Sequence, residues 1–511
     1  MRRKTRLRHT RLSIETIESR ICLTAITFVA QGAPLFYATS SLNVDPFRAS
    51  PATMSISDLD GDGDDDLLFA MNACLDGCFV NEISWYENLG GRFGNQRIID
   101  SGDSSRSTVY LSTADIDGDG DLDVIAGNYR TDGISWYENS DGRGNFDKYH
   151  HIEDNRTFFS IGDLDEDGDL DIVAGSSVDT GHTSDVAWYE NVDGAGTFTL
   201  GQIIAHDDAA GSLPTVWTVD VDGDDDLDVI TQCFSCEDRR GIAWSENLSI
   251  GSFSSAVTIS TEEFEQIVYA GDLNGDHFVD VLTANEERIV WYAYDPRQIT
   301  AWHRQVIGGG ADRGFNDLPH VIVADFDQDG DVDIVKFEPS FFGEMTIHWF
   351  ENEAGTFSLP RTILSESTFS LQRAVAAADI DGNGLPDVAY VLGDGAVMWL
   401  QSRLIGDSNN DGVFDTGDLV AVFAKGYYES PFRIPRFDDG DWNQDGKFDT
   451  RDLVYALQSG NYADVTATEV VARGQIDAAG ADWLFVASAV DAVFKRSMAA
   501  EFKRHTRPFI S

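Results

Sequence analysis

The chain of 511 residues contains no run of 18 apolar residues, so no membrane-spanning helix is expected. Basic residues are scarce: 36 Lys and Arg stand against 88 Asp and Glu, for a formal net charge of −52. The few bases concentrate near the start, where Arg2, Arg3, Lys4, Arg6, Arg8, Arg11 and Arg20 face only Glu15 and Glu18. The acidic remainder would repel phosphate backbones and anionic headgroups, which argues against nucleic acid as a partner. Cysteine is rare as well, with five residues: Cys22, the pair Cys74 and Cys78, and the pair Cys233 and Cys236. Each pair occupies the same place in its repeat, and the first and fourth repeats of a ring of seven are not neighbours, so a shared zinc site is disfavoured. Two local disulfides of an exported protein are expected, with free thiols as the alternative. Ten histidines are scattered, His150 and His151 on one strand, and no nucleophile motif stands out. No catalytic residue is assigned.

Aspartate is what the chain has in quantity, and it recurs with a period. A nine-residue acidic loop opens at Asp58, Asp115, Asp163, Asp220, Asp272, Asp325 and Asp379, and each is followed by a tryptophan strand, at Trp85, Trp136, Trp188, Trp244, Trp291, Trp349 and Trp399. Repeats at this spacing are the mark of a propeller or a solenoid. Within a repeat, an alternating segment leads into the loop, an apolar strand leaves it, the tryptophan strand follows, and a Gly-x-Phe turn such as Gly144–Phe146 opens a fourth strand. Four antiparallel strands in about 50 residues describe a blade. The fold class is therefore all-β, a seven-bladed propeller of four-stranded antiparallel blades over residues 31–402. The seventh repeat stops after its third strand, at Met398–Leu400, while Gly32–Phe36 and Leu42–Val44 precede the first blade without one of their own. An N-terminal strand is expected to complete the last blade and close the ring. The tryptophans are expected between blades, as core, rather than stacked on carbohydrate at a rim.

Each acidic loop presents side-chain oxygen at positions 1, 3, 5 and 9. The residues are Asp58, Asp60, Asp62 and Asp66; Asp115, Asp117, Asp119 and Asp123; Asp163, Asp165, Asp167 and Asp171; Asp220, Asp222, Asp224 and Asp228. The fifth to seventh loops add Asp272, Asn274, Asp276 and Asp280; Asp325, Asp327, Asp329 and Asp333; Asp379, Asp381, Asn383 and Asp387. Calcium takes six to eight hard oxygens at about 2.3–2.6 Å in a tolerant geometry, which such a loop nearly supplies alone. Magnesium demands a stricter octahedron, and the absence of thiols and imidazoles disfavours transition metals. Calcium is the expected cofactor, with plain aspartate-rich turns as the alternative. The fifth loop, with His277 in place of glycine at position 6, and the seventh, with Leu385-Pro386, depart furthest from the pattern; the fourth carries Asp225 at position 6.

A second type of loop follows, twice. Asp407, Asn409, Asp411, Asp415 and Asp418 offer oxygen at positions 1, 3, 5, 9 and 12, and Asp441, Asn443, Asp445, Asp449 and Asp452 repeat the set 34 residues later. Each loop leads into a helix-like apolar run, Leu419–Ala424 and Leu453–Leu457. Aspartate at position 12 and the missing entering helix set the pair apart from EF-hands. This small α-helical calcium-loop domain covers residues 403–463, and a partly helical tail with a basic cluster covers 464–511.

On these motifs, residues 32–402 resemble the FG-GAP/VCBS repeat family, although the literal Phe-Gly-Gly-Ala-Pro signature is missing. The resemblance implies the seven-bladed propeller of integrin alpha chains, calcium held in hairpin loops, and scaffold or adhesion roles more often than catalysis. Some calcium-dependent polysaccharide lyases use related propellers. Residues 403–463 resemble a type I dockerin, which implies a cohesin as partner. Arg11–Ala25 resembles the leader of large exported repeat proteins in certain bacteria, so residues 1–30 are expected to be an export leader and the protein to be secreted or at the cell surface. The expected function is an extracellular calcium-stabilised binding or adhesion scaffold for a glycan or a surface protein. The alternative is a carbohydrate-active enzyme, a lyase or hydrolase, carrying a docking tag. Binding is expected on the loops opposite the calcium rim, which vary most: Cys74–Asn81, Ser176–Asp185, Cys233–Arg240, Gly308–Pro319 and Pro339–Glu344.

Overall fold

The computed structural model describes residues 26–30, 36–37 and 49–463, apart from 76–77, 103–107, 129–132, 177–183, 208–214, 234–240, 263–265, 286–287, 298–300, 310–319, 340–343, 368–370, 393–395, 431 and 460. The variable loops thus fall largely outside the described residues, as do Cys22, Cys236, Leu42–Val44, most of the expected leader and the tail from 464. The described chain divides into two units, a propeller of Ala30–Phe326 and Gly330–Ser402 and a second unit that takes in residues from Arg403 onward, Asp327–Asp329 and residues 26–29.

Seven antiparallel sheets follow one another in sequence as blades, six of them four-stranded and that of blade 7 five-stranded. In the second blade the strands are Thr108–Ala114, Asp123–Asn128, Ile134–Asn139 and Phe146–Glu153. The first strands touch one another in cyclic order, from Ala49–Ser57 in blade 1 round to Leu371–Ala378 in blade 7 and back to Ala49–Ser57. The ring is therefore closed, with first strands innermost. Hydroxyl pairs stitch some of them together: Ser57 Oγ lies 2.7 Å from Thr113 Oγ1, and Ser160 Oγ lies 2.8 Å from Thr218 Oγ1.

Both faces of each sheet are covered by neighbouring blades, which is why the second strands read as unbroken apolar runs and are buried throughout, as at Asp123–Asn128 and Asp171–Ser176. The interblade cores pair successive repeats. Leu68, Ile83 and Trp85 of blade 1 pack with Leu111, Val124 and Tyr137 of blade 2. Ile125 and Trp136 of blade 2 pack with Phe159, Ile172 and Tyr189 of blade 3. The seven strand-three tryptophans are 1–8% exposed, so they are core, as expected.

The seam joins the ends of the ring. Phe36 and Tyr37 pair antiparallel with Val397 and Ala396 on the third strand of blade 7, and Trp399 and Val397 share a core with Phe69, Met71 and Tyr86 of blade 1. The closing strand lies earlier than Leu42–Val44. Deleting residues 30–46 is expected to lower the melting temperature strongly and to promote self-association, because strand Ala396–Leu404 loses its pairing with Phe36 and Tyr37. A monomer with unchanged melting would rule out this register.

In the second unit, helix α1 (Thr416–Lys425) and helix α2 (Thr450–Gln458) follow the two longer loops. Each starts with an aspartate cap, Asp415 or Asp449, in a reciprocal capping box with Asp418 or Asp452. Ile405, Phe414, Val422, Trp442, Phe448 and Leu453 form its core, against which Val29 also packs. The duplication gives matched contacts: Thr416 Oγ1 meets the Tyr462 hydroxyl and Thr450 Oγ1 meets the Tyr428 hydroxyl, both at 2.9 Å.

Candidate metal-binding rim

The position-1 aspartate shapes each loop. Asp58 accepts the backbone N–H groups of Gly61, Asp62 and Gly63 at 2.8, 3.1 and 3.0 Å. Asp220 does the same for Gly223, Asp224 and Asp225, and in the second unit Asp407 does so for Asn410, Asp411 and Gly412. Wrapping the chain round a carboxylate requires left-handed backbone at two places. Position 6 is one, as at Gly63 and Gly120 (both φ 97°), with the non-glycine exceptions Asp225 and His277 at φ 74° and 73°. Position 4 is the other, where Glu166 and Gln328 adopt φ 63° and 58°, a requirement the sequence reading did not register.

The wrap draws carboxylates together. Oxygens of Asp58, Asp60 and Asp62 lie within 4.8 Å of one another, as do those of Asp115, Asp117 and Asp123; Asp163, Asp165 and Asp167; Asp220, Asp222 and Asp228; and Asp325, Asp327 and Asp329. Within these groups Asp60 Oδ1, Asp115 Oδ1, Asp165 Oδ1 and Asp222 Oδ1 are buried and receive no hydrogen bond. A buried anionic oxygen without a donor is costly unless a cation meets it, so the donor set fits a hard metal ion. In the weaker loops amides take part: Asn274 Nδ2 donates to Asp280 Oδ2 at 3.1 Å, and Asn383 Nδ2 donates to the Ser402 carbonyl at 2.9 Å.

Position 9 has a second task. Asp123 Oδ2 accepts Ile116 N–H at 3.0 Å and Oδ1 accepts Asn139 N–H at 2.8 Å, tying loop to third strand. Asp66, Asp171 and Asp228 repeat the arrangement. Each oxygen keeps a lone pair for a metal. Burial pushes Asp66, Asp123, Asp228 and Asp280 up to about 7 and Asp171 to about 6, against which the backbone N–H groups act downward. Folding therefore takes up protons at these carboxyls, and the resulting stability is present below about pH 4 and lost as pH rises through about 7. In chelator the melting temperature is expected to fall steadily from pH 5 to pH 8. A rise over that range would refute the assignment. In the second unit, position 12 is similarly engaged: Asp418 Oδ1 accepts Ser408 and Asn409 N–H, and Oδ2 accepts Asp415 N–H. Asp449 is turned to its helix and to Arg451, whose guanidinium holds its carboxyl at about 2.

The asparagine that ends the third strand has a role that no single repeat announces. Asn139 Nδ2 donates to the Leu59 carbonyl in the loop of blade 1 and to the Leu122 carbonyl in its own loop, while Oδ1 accepts Gly144 N–H. Asn88, Asn191, Asn247 and Asn352 each reach the preceding blade in the same way, at Ile380, Ile116, Leu164 and Leu273. One side chain thus links two loops and a turn. Tyr294 and Ser402 stand at this position in blades 5 and 7. The recurring Trp-Tyr-Glu-Asn string was the available signal.

A model of the FG-GAP-like repeat matches residues 58–126, 115–174 and 272–335. These are FG-GAP-like repeats. The matched segments each contain two acidic loops, and the unmatched blades share their antiparallel geometry. No curated protein matches the chain. A solved structure described as Penicillium chrysogenum alpha-L-arabinanase complexed with arabinobiose is similar at 12% identity and TM-score 0.37, over 73% of this chain and 96% of that one. That likeness is too loose to bear on function. Among the described residues no helix is long and apolar enough to cross a membrane.

Proposed function

We propose that the protein is an extracellular scaffold whose FG-GAP-like propeller is held by calcium at its loop rim and binds a glycan or a surface protein through the opposite loops. The observation that carries this reading is the set of buried, donorless aspartate oxygens in four loops, at position 3 in three of them (Asp60, Asp165 and Asp222) and at position 1 in the other (Asp115). Repeated turns would not bury unpaired charge without a cation to meet it. Calcium suits the all-oxygen, carboxylate-rich site best. An extracellular setting supports the reading, because calcium there is abundant enough for sites of modest affinity, and the basic start and paired cysteines of the sequence suit export. The module over 403–463 is read as dockerin-like, with a cohesin as partner. Its two helices, each entered through an acidic loop and capped by aspartate, support that reading.

The test is a binding screen of the full chain against polysaccharides and candidate surface proteins, cohesin included, in millimolar calcium and again in chelator. Saturable calcium-dependent binding without product formation is expected. Chain cleavage of a bound polysaccharide would instead make the protein an enzyme, and binding unaffected by chelator would detach recognition from the rim.

A further inference from the structure

The blade 7 loop folds like the others. Asp379 at position 1 accepts Asn383 N–H at 3.0 Å and Gly384 N–H at 2.7 Å, and Asp387 at position 9 accepts Ile380 N–H at 3.2 Å and Ser402 N–H at 2.7 Å. The difference lies at positions 3 and 5. At position 3 of blades 1, 3 and 4 an oxygen of Asp60, Asp165 or Asp222 is buried without a donor, whereas Asp381 Oδ2 accepts a hydrogen bond from Gln401 Nε2. Gln401 stands two residues past the strand-three tryptophan, where blades 1 to 4 and 6 carry glutamate, as at Glu87 and Glu138. An ionised glutamate has no proton to donate there; the glutamine amide does.

At position 5, Asp62, Asp119 and Asp167 each use Oδ1 to accept the position 7 N–H at 3.0 Å and keep Oδ2 for an ion. Asn383 Oδ1 accepts Leu385 N–H at 2.7 Å in the same way, but its second atom is Nδ2, which donates to the Ser402 carbonyl at 2.9 Å. An amide nitrogen offers protons and no lone pair, so it cannot ligate a cation. Asparagine alone does not settle the matter. Asn274 and Asn409 aim Nδ2 at Asp280 and Asp411, carboxylates of their own ligand sets, and an ion would replace those bonds. The Asn383 bond runs instead to the backbone of the third strand, and the side chain is packed there, with Asn383 8% exposed and Leu385 buried at the place where blades 1 to 4 carry aspartate.

We infer that the blade 7 loop is a metal-free member of the rim, in which the amides of Gln401 and Asn383 stand in for the ion. The inference rests on the proposed reading of the other loops as calcium sites and marks where that reading stops. The same blade carries the closing pair of Phe36 with Val397, so the seam keeps an ordered loop when calcium leaves the rest of the rim.

The test reads the full chain in two ways. In a crystal grown with terbium, anomalous peaks are expected at the loops of blades 1 to 4 and none at blade 7. In solution, amide hydrogen exchange at Ile380, Gly384 and Ser402 is expected to run at one rate in calcium and in chelator, while that at Leu59, Gly63 and Asn88 quickens about tenfold when calcium at roughly ten times its dissociation constant is removed. The double variant Asn383→Asp with Gln401→Glu writes the blade 1 pattern into blade 7, and it is expected to add one terbium peak and to bind one more calcium by equilibrium dialysis. A native peak at blade 7, or exchange at Ile380 and Ser402 as calcium-dependent as that at Leu59 and Asn88, would overturn the inference while leaving the loop reading intact. So would a folded double variant that binds no extra ion. Absence of peaks at every loop would overturn both.

Discussion

In excess chelator the purified chain is expected to melt far below its temperature in millimolar calcium, with seven to nine ions bound in the calcium form. Extracellular calcium modules bind with dissociation constants of roughly 0.1–1 mM. At tenfold excess one such site contributes roughly 1.4 kcal/mol, and seven independent sites about 10, comparable to the net stability of a whole domain. The pH dependence separates this from a general salt effect. Calcium needs the carboxylates ionised, so its stabilisation grows as pH rises through the range in which the chelated protein weakens. Differential scanning calorimetry at pH 5, 6, 7 and 8, with and without calcium, reads both trends. A chelator shift under a few degrees, or one or two ions per chain, would make most of the loops simple turns.

Gly144→Ala is expected to be among the most damaging single-methyl changes in the propeller. A Cβ there would stand 2.1 Å from Trp85 Cζ2 of the preceding blade, on backbone at φ 69°. The ring cannot retreat, since Trp85 is 1% exposed. Moving the turn would break the Gly144 N–H bond to Asn139 and with it the link to Leu59. Overpacking and left-handed strain together point to a loss of about 3 kcal/mol or more. Gly90 provides the control: it has φ 72° in the equivalent region of blade 1, with nothing within 4 Å of its Cβ. Gly90→Ala should therefore cost only the conformational penalty, about 1 kcal/mol. Equal losses in urea titrations of the two variants would show that packing on the tryptophan is not what the turn glycine is for.

That pair shows where sequence reasoning ran out. The period placed the loops, strands and tryptophans because each is a local pattern, and it placed the seam because a missing fourth strand at one end matched a surplus strand at the other. Position 1 of the loops was legible from its spacing alone. The Gly-x-Phe turn was visible too, but only as a turn. Its glycine is required by a ring some 60 residues earlier in the chain, on another blade, as Gly196 is by Trp136 and Gly251 by Trp188. Asn139 was hidden for the same reason, since its partner at Leu59 lies in the previous repeat. Position 9 was read as a ligand and is also a strut, a role set by the N–H groups of Ile116 and Asn139. Contacts between repeats repeat with the sequence, yet nothing within one repeat reveals them.

The pairing of Phe36 with Val397 also sets a timetable for the chain's own birth. About 360 residues separate the partners, and at roughly 5–20 residues per second the first strand waits some 20–70 seconds for the last blade to be made. Until then every earlier blade can stack on its predecessor, but blade 1 has an uncovered face and the ring has no fixed circumference. The circle can close only once blade 7 has been made, so the ring takes its final circumference last of all its parts.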